Sequence, residues 1–270
     1  MSDPKLPPAN QLTTTDDQVI NEELIDGGKV MSIWEHLSEL RSRMTKALVI
    51  IFVTCGLALA FVDPIINFLK QPLLAVLPSG SKGLHFTGPL DVFMVDMKVA
   101  FLVGIITACP FWLFQFWKFF EPALYPKERK FILPFMIASV AVFCIGIVFC
   151  YFLILPLSLR YLIGLGLEVG QPLITIKDYV SLLTVLMLGF GAVFEIPVLI
   201  VLLAMLDIIS VDGLTAYRRF IILAILLISA IIVPPDPVSL VALAVPVYGM
   251  YELSIVIIRS LKKRQGGAVK

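Results

Sequence analysis

Charge is what this sequence has least of. Only 15% of its 270 residues are Asp, Glu, Lys or Arg, against 59% that are hydrophobic. That balance excludes an ordinary soluble domain. Histidine is scarcer still: His36 and His85 are the only two, which excludes an H-E-x-x-H metal site. A G-x-x-x-x-G-K-[ST] phosphate loop and a G-x-S-x-G nucleophile elbow are both missing, so neither P-loop ATP chemistry nor that class of hydrolase fits. The four cysteines, Cys55, Cys109, Cys144 and Cys150, all fall in apolar runs. They read as small buried hydrophobes and not as a disulfide framework. No cleavable signal peptide is apparent, because the first apolar run starts only at Ala47, and that run itself is expected to target the chain. The reading is of a non-enzyme with no cofactor, no metal site and no nucleic-acid partner.

Uncharged runs dominate what is there. They cover Ala47–Val62, Val99–Trp117, Phe131–Leu159, Tyr179–Phe194 (continuing past Glu195 to Leu206), Phe220–Pro235 and Pro237–Tyr251. Several approach the roughly 20 residues of a membrane-spanning helix. The expected fold is all-α, a polytopic membrane protein with six transmembrane helices and a short final pair. The fifth run has about 14 apolar residues, or about 21 Å of helix against about 30 Å of hydrocarbon. Pro110 is expected to kink the second span, and the third is expected to end near Pro156. With the N-terminus placed in the cytoplasm, sixteen of the 21 basic residues fall on cytoplasmic segments and four on the opposite side. That asymmetry puts both termini in the cytoplasm.

The polar segments carry the organisation. Residues 1–31 read as a disordered polar cytoplasmic tail, residues 32–258 as the six-helix domain and residues 259–270 as a basic cytoplasmic tail. Ser32 and Glu35 have the spacing of a capping box, and Ile33, Leu37, Leu40 and Met44 form one helical stripe. This is the pattern of a short amphipathic helix lying at the membrane surface and feeding the first span. Asp63–Asp91, between the first two spans, is expected to include a short helix on the external membrane face. Leu157–Asp178 reads as a second external segment, amphipathic and rich in turns. No internal repeat is apparent, which argues against an inverted-repeat transporter.

Four acids stand out. From spacing alone Glu39 reads as the acid of a surface i,i+4 pair with Arg43. Glu128, between Lys127 and Arg129, reads as one charge of a solvated loop, and Asp236 as a turn cap among prolines. Glu195 differs, because a mid-span carboxylate costs about 2.5–3.5 kcal/mol on insertion scales. It is either hydrogen-bonded to a neighbouring helix or functional.

Several motifs, in order, resemble one family. His36-Leu37-Ser38-Glu39-Leu40-Arg41-x-Arg43 is similar to the opening of TatC, the largest core subunit of the twin-arginine protein translocase. Pro122-Ala-Leu-Tyr125 with Glu128-Arg129 resembles its first cytoplasmic loop. Phe190-Gly191-x-x-Phe194-Glu195-x-Pro197 resembles its fourth span. Pro234-Pro235-Asp236-x-x-Ser239, Leu243-Ala244-x-Pro246 and Tyr251-Glu252 resemble its final hairpin, with Val233 and Leu240 departing from the family pattern.

The resemblance implies a bacterial plasma-membrane receptor for folded cargo carrying S-R-R-x-F-L-K type signal peptides, with export driven by the proton motive force. It implies that Glu39 and Glu128 bind the paired arginines, with Arg41, Phe119, Leu124 and Lys130 in support. Glu195 becomes the intramembrane contact for small single-span subunits of the TatA and TatB types, within an oligomeric complex. Pro234, Pro235 and Asp236 become an assembly hairpin. A guanidinium site needs partial desolvation to discriminate, so Ile33, Leu37, Phe119, Phe120 and Tyr125 are expected to wall a groove shared by Glu39 and Glu128. The competing reading is a secondary transporter with Glu195 as a proton or cation relay. An intramembrane hydrolase lacks a nucleophile–base pair.

Overall fold

A computed structural model of the chain describes residues 33–77, 84–120, 132–170, 173–206, 208–233 and 237–266. The helices are α1 (Ile33–Ala60), the short α2 (Val62–Leu69) and α3 (Gln71–Leu74), α4 (Pro89–Thr107), α5 (Cys109–Phe120) and α6 (Ile132–Phe149). A π-helical turn, Cys150–Ile154, leads into α7 (Leu155–Val169). Then come α8 (Ile176–Met205), α9 (Val211–Ala216), α10 (Arg218–Ile232) and α11 (Pro237–Gly266). Among the described residues the one β contact is a single bridge between His85 and Thr175. The fold is all-α.

Among the described residues four helical stretches are long and apolar enough to cross a membrane: Leu37–Ala60, Ile132–Glu168, Ile176–Met205 and Pro237–Ser260. The bent pair α4 and α5 makes a fifth, with 55° between its halves. α10, at 15 residues, is the short fifth helix of the expected six. The bend lies where the sequence placed it, beside Pro110, which has no N–H to give the preceding turn. The indole of Trp112 donates to the Ile105 carbonyl at 3.2 Å across the break, which restores a partner to exposed backbone.

Two expectations need correction. The amphipathic segment after Ser32 is not a separate surface helix. It is continuous with the first span over 28 residues, because nothing between Lys46 and Ala60 breaks the helix. Ser32 itself lies outside the described residues. The third span does not end at Pro156 either: helix continues to Val169. The π-helical turn just before the proline widens the coil and relieves its clash with the preceding turn. The expected external segment 157–178 is therefore mostly the end of this long helix.

α8 is the hub and α1 the periphery: 61% of the α8 span window is buried, against 6% of α1. Close crossings use glycine. A Cβ on Gly104 of α4 would meet the Cys55 backbone of α1 at 2.8 Å, and Thr54 Oγ1 donates to the Gly104 carbonyl at 2.8 Å. Between α6 and α8, Gly146 lies against Phe190 and Phe194, and Gly191 against Phe143. This is small-residue packing, the usual substitute for a hydrophobic drive between helices in lipid.

The α2 end of the bundle is fastened by polar contacts. Tyr151 donates to the Phe68 carbonyl at 2.7 Å and Tyr179 to that of Leu69, so the third and fourth spans hold the end of α2. Asp91 accepts from the backbone N–H groups of Thr87 and Gly88, each at 3.0 Å, capping α4. It also pairs with Lys177 at 3.3 Å. All four cysteines are free, Cys109 and Cys150 buried as expected, but Cys55 only partly buried and Cys144 exposed. Replacing Gly104 by Leu is expected to destabilise by about 1–3 kcal/mol, as overpacking does. Thermal unfolding in detergent checks this, with Ser260→Ala, at an exposed position, as the neutral control.

Candidate functional sites

The first site lies at the end of the molecule that the charge bias assigns to the cytoplasm. Glu39 and Arg43 are one turn apart on α1, and Arg43 Nε donates to Glu39 Oε1 at 3.0 Å. The i,i+4 pair expected from spacing is therefore present. It uses only one carboxylate oxygen. Oε2 is buried and has no hydrogen-bond partner among the described residues. The Glu39 side chain is 21% exposed and that of Arg43 16%, so the pair sits in a partly desolvated boundary and not on an open surface.

Directly beside it, α1 and α5 enclose an apolar cleft of about 310 Å³. Leu40, Met44 and Ile51 line it from α1, and Trp112, Phe116 and Phe119 from α5, with Arg43 and Gln115 the polar members. The periodicity explains the walls. Positions 40, 44, 47, 48 and 51 fall on one face of α1, and 112, 116, 119 and 120 on one face of α5. Phe119 packs edge-to-face on Phe120 at 5.4 Å between centroids, and Lys118 caps the Phe114 ring at 5.5 Å.

Of the residues expected here, Phe119 and Phe120 line the cleft, and Glu39 is joined to it through Arg43. Arg41 is on the same helix and exposed. Leu37 is half-exposed at 49% and does not line the cleft. Glu128, Leu124, Lys130 and Tyr125 lie outside the described residues, as do Pro234, Pro235 and Asp236; the Ile33 side chain is likewise not described. Met44, Trp112 and Phe116 were missed as walls. The signal was available in the i,i+4 spacing of Trp112 and Phe116 just past the Pro110 bend.

The second site is inside the bundle. Glu195, on α8, is buried at 9% exposure. Its Oε2 accepts from Ser139 Oγ of α6 at 2.7 Å, and Ser139 accepts from the Trp117 indole of α5 at 2.8 Å. Glu195 Oε1 is buried with no partner among the described residues. The hydrogen bond to a neighbouring helix, one of the two alternatives left open for Glu195, is thus present, with half of the carboxylate left over. Ser139 and Trp117 were not foreseen, although Ser139 is one of few hydroxyls in the run Phe131–Leu159.

The described residues contain no group of His, Cys, Asp and Glu that would hold a metal ion. Each site centres on one carboxylate with an unused oxygen, Glu39 paired with Arg43 and Glu195 with Ser139, an arrangement suited to receiving a further donor. The family model for Sec-independent protein translocase protein (TatC) matches residues 35–246. The chain belongs to the TatC family.

A TatC protein of Desulforapulum autotrophicum is 34% identical over 231 residues, covering 86% of this chain and 85% of its own length. That of Escherichia coli is 33% identical, covering 82% and 85%. A crystal structure of the twin arginine translocase receptor TatC in DDM superposes with a TM-score of 0.74 at 34% identity. It covers 83% of this chain and 99% of its own. TatC proteins are translocase components and not enzymes. The chain is accordingly a multi-pass component of the Tat protein translocase in the bacterial plasma membrane.

A TatC residue kept for contact rather than for stability should be replaceable without cost to the fold. A buried carboxylate with one empty acceptor is worth little to stability, since apolar replacements of buried charges are often neutral or stabilising. Glu195→Met is therefore expected to leave the thermal midpoint in detergent unchanged or raised. A fall of more than about 4 °C, roughly 1–2 kcal/mol for a chain of this size, would make Glu195 a structural keystone instead.

Proposed function

We propose that this TatC-family chain is the receptor subunit that binds twin-arginine signal peptides of folded cargo. In this reading Glu39 and Glu128 are the arginine-binding carboxylates, with Arg41, Phe119, Leu124 and Lys130 around them. Residues 1–31 and 259–270 are cytoplasmic tails outside the membrane domain. Glu195 is the contact for small single-span subunits of the TatA and TatB types in an oligomeric complex, and Pro234, Pro235 and Asp236 form an external assembly hairpin. The proton motive force drives passage.

The observation that carries the reading is the unused, buried Oε2 of Glu39, whose partner Arg43 lines the α1–α5 cleft. A guanidinium is a planar fork that pairs with a carboxylate through two parallel bonds, which an ammonium does not reproduce. In the open such a pair is worth about 0.2–1 kcal/mol, too little to select a sequence. At a desolvated interface, removing one partner costs about 2–5 kcal/mol. The low exposure of Glu39 and Arg43 favours the second regime. The cleft then offers apolar walls to the residues that follow the arginines, so cationic and apolar parts of one peptide are read side by side. A relay role for Glu195 has less support: its hydrogen-bond chain ends at the Trp117 indole, which neither takes up nor releases a proton at physiological pH.

The test is binding of a twin-arginine signal peptide and its Lys-Lys variant to the protein in nanodiscs. Glu39→Ala and Glu128→Ala are each expected to weaken Arg-Arg binding by at least about tenfold, the equivalent of 1.4 kcal/mol. Replacing the bulky apolar residues after the arginines by Ala should weaken it further. Equal weak binding of both peptides, untouched by either mutation, would sink the two-carboxylate model.

A further inference from the structure

We propose that Ser139 and Trp117 are positioning residues that hold Glu195 withdrawn inside the bundle, so that its contact with a partner helix forms only after it leaves them. This rests on the reading of Glu195 as an intramembrane contact. The first observation is accessibility. Glu195 is 9% exposed, and Oε1, its one free acceptor, is fully covered by protein. A donor on another helix does not reach that oxygen in this conformation.

The second observation is the unusual direction of the Ser139 hydroxyl. In this chain a helical hydroxyl by default bonds the carbonyl four residues back. Thr45 bonds Arg41 at 2.8 Å, Thr107 bonds Val103 at 2.8 Å, Thr184 bonds Val180 at 2.7 Å and Ser260 bonds Val256 at 2.9 Å. Ser139 departs from this pattern. Its oxygen receives the Trp117 N–H at 2.8 Å, and its single proton goes to Glu195 at 2.7 Å. A hydroxyl has one proton to give. The indole therefore fixes which way that proton points, and its ring is stacked on Phe135, centroids 5.5 Å apart. Phe135 is the residue whose carbonyl Ser139 would otherwise seek.

Removing the indole N–H frees Ser139 to back-bond, and Glu195 then loses the donor that retains it. Apparent affinity for a partner scales with the fraction of protein in the competent state. Weakening the retaining bond therefore raises affinity, the opposite sign to that of a merely structural defect. One ordinary intramolecular hydrogen bond corresponds to about three- to tenfold in that fraction.

The experiment uses the full chain in nanodiscs and a synthetic single-span leucine–alanine helix carrying one asparagine at mid-membrane depth. An all-apolar version of the helix is the reference, and association is read by energy transfer. Trp117→Phe and Ser139→Ala should each bind the asparagine helix about three- to tenfold more tightly than the parent. Ser139→Thr, which restores the hydroxyl, should return affinity to the parental value, and the all-apolar helix should not distinguish the variants. If Ser139→Ala fails to fold, Trp117→Phe carries the test alone. Parental or weaker binding in the folded variants, with the asparagine preference lost in Glu195→Ala, overturns the retention and leaves the contact reading standing. An asparagine preference that survives Glu195→Ala overturns both.

Discussion

Within hydrocarbon a polar group has no water to fall back on, so each one must find its partner inside the protein. This chain obeys that constraint closely. Ser158 and Ser239 bond each other at 2.6 Å between α7 and α11, and Ser254 reaches the Pro197 carbonyl at 3.2 Å. Tyr151 and Tyr179 close off the end of α2, and Trp112 covers the carbonyl exposed at the α4–α5 bend. Against that background, a buried oxygen with no partner among the described residues carries information, because leaving it unpaired costs about 1–3 kcal/mol. Two such oxygens belong to Glu39 and Glu195. Under the proposed reading, contact with another molecule satisfies them.

The bent second span joins the two places. α5 is only 12 residues long, yet Phe116 and Phe119 face the cleft beside Glu39 while Trp117 faces inward to Ser139 and Glu195. The bend at Pro110 sets the orientation of this helix, and Trp117 is buried where its neighbours are not. One short helix therefore supplies the apolar wall of the cytoplasmic site and the donor chain of the intramembrane one. α8 stays as the packed hub, crossing α6 through Gly146 and Gly191.

Much of this was legible in the sequence. Apolar run lengths located five of the spanning units and the shortness of the fifth helix, because spanning length is fixed by bilayer thickness. Pro110 announced the bend. Pro156 misled: a proline usually ends a helix, but here a π-helical turn absorbs it, and no local pattern marks such a turn in advance. The carboxylates Glu39 and Glu195 stood out because charge is so rare. Their partners did not, since the Trp117–Ser139–Glu195 chain joins residues 22 and 56 positions apart. Only the packing of three helices brings them within bonding distance.

The most direct measurement is a structure of the protein in nanodiscs with a bound twin-arginine peptide. The account predicts a guanidinium within hydrogen-bonding distance of Glu39 Oε2, with a bulky apolar side chain of the peptide between Met44 and Phe116. A peptide bound elsewhere, with the Glu39–Arg43 pair undisturbed and the α1–α5 cleft filled by lipid, would contradict it.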